Sequence, residues 1–331
     1  MKILQSIKVP TGDIFIGQGE KGKLEFLSIG DYGKEKNIKA DFLGLHREIN
    51  GVPHGELLPL TEKWVITISS QYGCSMGCSF CDVPKVGPGR NATFKDLIEQ
   101  VKTALAWHPE INITKRLNVH FARMGEPIYN KNVLYATTYL AGMLKEKAWG
   151  FHPVISTIVP RVNRVESFLY EWLRIKNDVL NGEAGLQISV NTTDKQIREK
   201  IMPYAVSLGK VMNLLEKPLK QHGIKGRKIA LNFALTNAPV DAHELFCLFD
   251  PQYFMCKITP MHKTNACIKN KLITEDGYDK YYPYKQVEED LKSKGFDVIV
   301  FIPSKEEDES KITCGNAILS QKEGGHDKTR A

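Results

Sequence analysis

The chain has 331 residues and a formal net charge of +7, from 45 Lys and Arg against 38 Asp and Glu, with 42% hydrophobic and 25% charged residues. That is the make-up of a soluble globular protein, long enough for one large domain with an appendage. No apolar run approaches the roughly 20 residues of a membrane span. The opening Met1-Lys2-Ile3-Leu4-Gln5 is not followed by the apolar core of a signal peptide. The expected setting is therefore the cytoplasm, with no membrane partner. The seven cysteines are odd in number, which argues against a disulfide framework. The mild positive excess permits an anionic partner such as RNA without requiring one.

Residues 1–62 read as a small β-rich region. Ile14-Phe15-Ile16 and Leu24-Glu25-Phe26-Leu27 are short apolar runs between glycine-bearing turns, and no long helical period occurs. From Trp64 strand and helix signals alternate. Val65-Ile66-Thr67-Ile68 is a β-branched strand. Phe94 to Trp107 has helical spacing, with Leu97, Ile98, Val101 and Leu105 on one face. Strands follow at 117–122, 153–157, 185–190, 229–235, 255–258 and 296–301. The helices between them are read at 133–145, 165–175, 197–201, 207–221, 242–248 and 284–293. This alternation predicts parallel strands with crossover helices. Residues 63–303 then form the main body. Residues 304–331 form a C-terminal loop and polar tail carrying Cys314 and Glu306-Glu307-Asp308-Glu309, mobile beyond Gln321. A basic stretch lies between Lys195 and Lys228, readable as a solvated helix face or as a phosphate-contacting surface.

The chemistry concentrates in Gly73-Cys74-Ser75-Met76-Gly77-Cys78-Ser79-Phe80-Cys81, where three cysteines stand four and three residues apart. Zinc sites commonly use two ligand pairs, and no second pair lies nearby. Three clustered thiolates instead suit three irons of a 4Fe–4S cluster, leaving the fourth iron without a protein ligand and open for chemistry. The metal ligands expected are Cys74, Cys78 and Cys81.

This C-x3-C-x2-C pattern with an aromatic before the third cysteine resembles the signature of radical S-adenosylmethionine (SAM) enzymes. With Ser69-Ser70-Gln71-Tyr72-Gly73 before it, Gly87 and Arg90-Asn91 after it, then Met124-Gly125-Glu126-Pro127 and Cys314-Gly315, the chain resembles the RlmN/Cfr family, which methylates adenine in RNA. The resemblance runs from about Trp64 to about Leu319. It implies an α/β fold, a partial (β/α)6 barrel, with the marked motifs at the C-terminal ends of strands. It implies SAM and a 4Fe–4S cluster as cofactors, and an external electron donor such as flavodoxin or ferredoxin. By resemblance Gly125 and Glu126 receive the SAM amino group, Ser156 and Ser189-Val190-Asn191 contact its ribose and carboxylate, and Phe80 packs near its adenine. Asn191 stands where the family usually has His, and His262 where it usually has Asn. Cys314 matches the cysteine that first accepts a methyl group. The family's second, resolving cysteine falls here on Thr67, whose hydroxyl cannot form a disulfide. The family's helical N-terminal region, thought to grip RNA, has no clear counterpart here: it is either lacking or replaced by the β-rich residues 1–62. Two functions remain open: methyl transfer of the RlmN/Cfr kind to RNA or a nucleotide, and direct hydrogen abstraction from a nucleotide, another small molecule or a peptide.

Overall fold

The computed structural model describes residues 1–31, 48–49, 52–53, 57–147, 149–278, 280–303, 305–314 and 316–324. The expected mobile tail therefore lies, from residue 325, outside the described residues, as does most of 32–56. In chain order the elements are β1 (Lys2–Val9), β2 (Gly12–Gly19), β3 (Gly22–Ile29), β4 (Glu48–Ile49), β5 (Val52–Pro53), β6 (Trp64–Ile68), β7 (Gln71–Gly73), β8 (Pro88–Asn91) and α1 (Phe94–Ala106). Then come β9 (Leu117–Phe121), α2 (Asn132–Lys145), β10 (Phe151–Thr157), α3 (Val165–Arg174), β11 (Gly185–Ser189), α4 (Lys195–Ile201), α5 (Leu208–His222), β12 (Ile229–Leu235) and α6 (Ala242–Leu248). The chain continues through β13 (Phe254–Pro260), α7 (Asn265–Asn270), α8 (Tyr282–Ser293), β14 (Asp297–Val300), α9 (Lys305–Glu309) and α10 (Ala317–Gly324).

One ten-stranded sheet runs β1-β2-β3-β6-β9-β10-β11-β12-β13-β14. From β6 to β14 every pairing is parallel, giving six β/α units and a closing seventh strand, the partial barrel expected. β1 to β3 are antiparallel and continue the same sheet beyond β6, with Leu27 opposite Thr67. The boundaries follow local chemistry. Helix α1 starts at Thr93 in a capping box: its hydroxyl accepts from Asp96 N at 3.1 Å and the Asp96 carboxylate accepts from Thr93 N at 2.9 Å. Its Leu97, Ile98, Val101 and Ala104 are buried, at helical spacing.

The period of two in the strands sorts residues to two surfaces. Ile66, Val119, Ile155, Ile188, Leu231 and Ile258 face outward into the helix layer and are fully buried, each contributing about 1.5–3 kcal/mol. Thr67, His120, Ser156, Gln187, Asn232, Lys257 and Ile299 alternate with them, face the lumen and are only half-buried. The lumen is thus a polar, water-accessible space. Beyond β14 the C-terminal segment crosses from one sheet edge to the other, so that α10 rests on β2 and β3. We call residues 305–324 the strap. No described helix is long and apolar enough to cross a membrane.

Candidate active site

Strand β6 ends in the loop that carries the cysteines, and Gln71 fixes how that loop meets its neighbours. Its side-chain amide donates to Gly89 O at 2.6 Å and to Asn91 Oδ1 at 2.8 Å, while its carbonyl accepts from Glu126 N at 2.8 Å. Gly73 has φ +80°, and a Cβ there would stand 2.0 Å from the Gly87 carbonyl oxygen, so only glycine permits this crossing. Gly125, at φ +96°, is pressed just as closely on the Gln71 side chain, where a Cβ would lie 2.5 Å away.

Cys78 is buried, and Cys74 and Cys81 are partly so. They sit against a small apolar cluster of Met76, Ile158, Ile201, Met202 and Ala205, with Phe80 and Tyr129 at its edge. Burial pushes the Cys74 and Cys81 thiols up to about 12 and the Cys78 thiol well above its ordinary value; Cys81 adds to the shift of the other two, and Cys74 to that of Cys78. Among the described residues no three His, Cys, Asp or Glu side chains converge on a single metal ion. The residues fit a 4Fe–4S cluster: its irons occupy separate corners, and the donor set is three soft thiols on one loop in largely dry surroundings. Cys74, Cys78 and Cys81 would hold it.

Glu126 is 3% exposed. Its carboxylate accepts from Thr157 Oγ1 at 2.6 Å, Ile128 N at 3.1 Å and Ile158 N at 3.1 Å. Burial raises it to about 7, against the pull of these three donors. A carboxylate has about four acceptor positions, so one remains for an incoming ammonium or amine. Ser156 lies on the lumen face and accepts from Gln187 Nε2 at 3.2 Å, and Ser189 shares that face. Val190 is buried, and its N–H donates to Asn232 O at 2.8 Å. The Asn191 side chain turns into the protein, its Oδ1 accepting from Ala234 N at 3.0 Å and its amide facing Met202 Sδ at 3.8 Å. The Phe80 carbonyl accepts from Thr264 Oγ1 at 2.7 Å and from Cys267 Sγ at 3.3 Å, which docks α7 onto the cysteine loop.

The strap brings in the distant residues. A buried ion pair joins Arg123, just after β9, to Glu25 of β3, with Arg123 Nε 2.5 Å from Glu25 Oε1. Arg123 also donates to Ile312 O at 3.3 Å, and Glu25 Oε2 accepts from Ile318 N at 3.1 Å. A second anchor is Asp308, which lies 3.0 Å from His262 Nδ1 and accepts from Thr313 Oγ1 at 2.7 Å and Lys263 N at 3.3 Å. Burial alone would raise the Asp308 carboxyl, but His262 and Thr313 overcome it and hold it at about 2. Between these anchors hangs Cys314. Its side chain is open to solvent. Desolvation by neighbouring protein nonetheless raises its thiol to about 12, with Arg123 pulling the other way and Asp308 and Cys267 adding. It lies close enough to Cys81 to add to that thiol's shift, after burial the largest upward influence. Cys267 also acts on both Cys81 and Cys314. The other free thiols are remote in role: Cys256 is buried on the outward face of β13, and Cys247 is exposed on α6 beside His243. Thr67 faces the lumen opposite His120.

The fold thus gathers the three loop cysteines, Glu126, Phe80 and Cys314 at the C-terminal end of the strands, with Ser156 and Ser189 on the lumen face. Asn191 and His262 are engaged with the protein itself. Sequence reasoning gave no role to Gln71, Glu25, Arg123 or Asp308. Gln71 stands inside the motif that carries the resemblance and Asp308 inside the acidic run of the polar tail, while nothing local marks Glu25 or Arg123.

A parallel partial barrel with a three-cysteine loop and a Gly-Glu pair whose carboxylate is buried at its strand ends defines an iron–sulfur enzyme that works on SAM. The chain belongs to the radical SAM superfamily, whose family profile matches residues 68–235, about half of its length, and its cofactors are accordingly a 4Fe–4S cluster and SAM. It is 26% identical over 203 residues to the dual-specificity RNA methyltransferase RlmN of Buchnera aphidicola, covering 58% of this chain and 51% of that one. It is 30% identical over 215 residues to the probable enzyme of the same name from Chlorobaculum tepidum, covering 63% and 54%. The chain thus spans about half the length of the curated relatives it matches. A radical SAM methyltransferase from Sphaerobacter thermophilus has the same fold, with a TM-score of 0.65 and 18% identity over 92% of this chain and 78% of that one.

Proposed function

We propose that this protein is a methyltransferase of the RlmN/Cfr kind, acting on RNA or a nucleotide, with Cys314 as its methyl carrier. One observation supports this reading above the rest: the strap is anchored at both ends, and Cys314 hangs between the anchors beside Cys81. Bound to Cys74, Cys78 and Cys81, the cluster would supply the electron that cleaves SAM to methionine and a 5′-deoxyadenosyl radical, after reduction by an external donor such as flavodoxin or ferredoxin. Glu126 holds the SAM amino group through its free acceptor position. Met76, Ile158, Ile201 and Met202 keep water from the reacting centre. Ser156 and Ser189 offer hydroxyls toward the ribose and carboxylate, and Phe80 offers its ring toward the adenine.

The family's resolving cysteine is absent, since position 67 is threonine. Cys267 is the thiol that the fold brings near Cys314, and it is our candidate for that step. Attack by Cys267 sulfur on the sulfide of a Cys314–CH2–substrate adduct would form a disulfide and break the S–C bond. The electron pair would pass to the substrate carbon, which takes a proton to become methyl. Two thiols are oxidised and the carbon is reduced, so an external thiol must then reduce the disulfide. Thr67 itself favours the second reading, direct hydrogen abstraction with no covalent adduct. The test is the mass of peptides from protein expressed with SAM available. A methyl group on the Cys314 peptide supports the carrier role. Multiple turnovers unaffected by Cys314→Ala would replace it with direct abstraction.

A further inference from the structure

Below the strand ends the lumen holds positive charge with little to balance it. Lys257 is on the lumen face of β13, midway along the strand, in register with Asn232 and Ile299. Among the described residues it makes no ion pair and no hydrogen bond, and its ammonium stands 5.2 Å from the ring centre of Phe301. His120 faces the same space from β9 and likewise has no hydrogen-bonding partner among the described residues. On β12 the Asn232 Oδ1, a buried acceptor, has none either. The floor is also basic. Arg227 folds in over Gly185, where a Cβ would come within 3.0 Å of its guanidinium, so the glycine makes room for the arginine. Arg116 reaches Asn118 Oδ1 at 3.4 Å. The nearby carboxylates are already engaged, Asp31 with Lys63 at 3.0 Å and Glu183 with His152 at 2.9 Å.

A barrel that needed only to fill its interior would use layers of branched apolar side chains. A lumen-facing lysine without a carboxylate partner costs stability unless something compensates it. Lys257, Arg227, Arg116 and Lys63 outnumber Asp31 and Glu183 by two charges, with both histidines neutral, and that excess matches a phosphate monoester dianion. We propose that the lumen is an anion-binding site for a phosphate-bearing small molecule, with Lys257 and His120 as its inner contacts and Arg227 closing the floor. Electrostatics agrees. Burial above all, helped by Arg227 and Lys63 and opposed by Asp31, lowers Lys257 to about 8 and His120 to about 3. An anion placed between them removes that penalty. A phosphate anchored midway along β13 leaves the rest of its molecule toward the strand ends, where Glu126 and Cys81 lie. This site does not depend on whether Cys314 carries a methyl group.

The experiment titrates inorganic phosphate against chloride, at constant ionic strength, into cluster-loaded protein with SAM. Thermal stability and 31P line width are followed. Phosphate is expected to bind at one site and raise the melting temperature by mass action. Lys257→Met should weaken that binding by about tenfold or more, as loss of a charge-assisted contact implies. Without phosphate the same variant should be at least as stable as wild type, because an uncompensated charge has been removed. Lys145→Met with Lys285→Met, both exposed on the outer surface, should leave phosphate binding unchanged. If phosphate stabilises wild type and Lys257→Met equally, or neither, the proposal is overturned. Should Lys257→Met fail to fold, the compensation argument fails with it, and Lys257→Gln then decides the binding question alone.

Discussion

Glu25→Gln is a stringent test of the strap. Glu25 is fully buried and the Arg123 side chain is 3% exposed. The carboxylate meets the guanidinium and also accepts from Ile318 N at 3.1 Å. The amide keeps the shape but leaves Arg123 a buried charge without a counter-ion, at a cost of about 3–5 kcal/mol. Arg123 and Glu25 are the groups that hold Ile312 and Ile318, so much of this cost should appear as easier lifting of the strap. At about 1.4 kcal/mol per factor of ten, 3 kcal/mol is roughly 150-fold in the open population. Native-state trypsin cleavage at Lys311, next to Ile312, reads that population when reclosing outpaces cutting. Cleavage should accelerate by about 100-fold, leaving a barrel fragment that retains its iron. Reduced protein should still cleave SAM, whereas any chemistry that depends on Cys314 should be lost. Cleavage within about threefold of wild type would refute the claim that this pair holds the strap.

Glu126→Gln should weaken SAM binding by about 10- to 150-fold while the cluster stays in place, as loss of a charge-assisted hydrogen bond implies. Because burial raises the Glu126 carboxyl to about 7, SAM affinity should fall as pH drops through 7. The apo protein should lose stability as pH rises from 4.5 to 7, the raised folded value favouring the protonated form; a pH-independent titration in either assay contradicts the assignment. Cys267→Ala should trap a covalent adduct on Cys314 that Thr67→Cys in the same background releases, read by intact-protein mass. Release in Cys267→Ala without a cysteine at 67 removes Cys267 from the mechanism. RNA binding should weaken steeply with salt and on joint neutralisation of Lys217, Lys220, Lys225 and Arg227. Since Arg227 packs over Gly185 inside the barrel, the loss should come from the three exposed lysines, and a triple lysine variant that binds RNA as well as wild type would discard this surface.

Much of the barrel was legible in the chain. The run 242–248 is helix α6 and 229–235 is strand β12, to the residue. These elements announce themselves because burial on one face imposes a period of 3.6 or 2 on the sequence. Helix α7 was missed because it is only six residues long: Thr264 caps it locally, accepting from Cys267 N at 3.0 Å, but Asp82, in the distant cysteine loop, takes up Asn265 N and Ala266 N. The Lys195 to Lys228 stretch misled in part, since Arg198 is buried and donates to Val206 O at 2.7 Å and to Ser189 O at 3.2 Å. Composition counts a charge but not the direction in which it points.

The metal chemistry is written into the chain locally, because three thiols within eight residues must share one loop whatever the fold does around them. So are the alternation of strand and helix, and the glycines at 73 and 125 that let backbone approach backbone or side chain. The remaining contacts arise from long-range packing. Glu25 and Arg123 are 98 residues apart in the chain, and no local pattern says that they pair. Cys314 reaches Cys81 because the strap crosses the barrel edge. Lys257 and His120 share one lumen because strand register and closure bring them there. These are contacts between distant segments, set by how sheets curve and close, and short-range periodicity carries no trace of them.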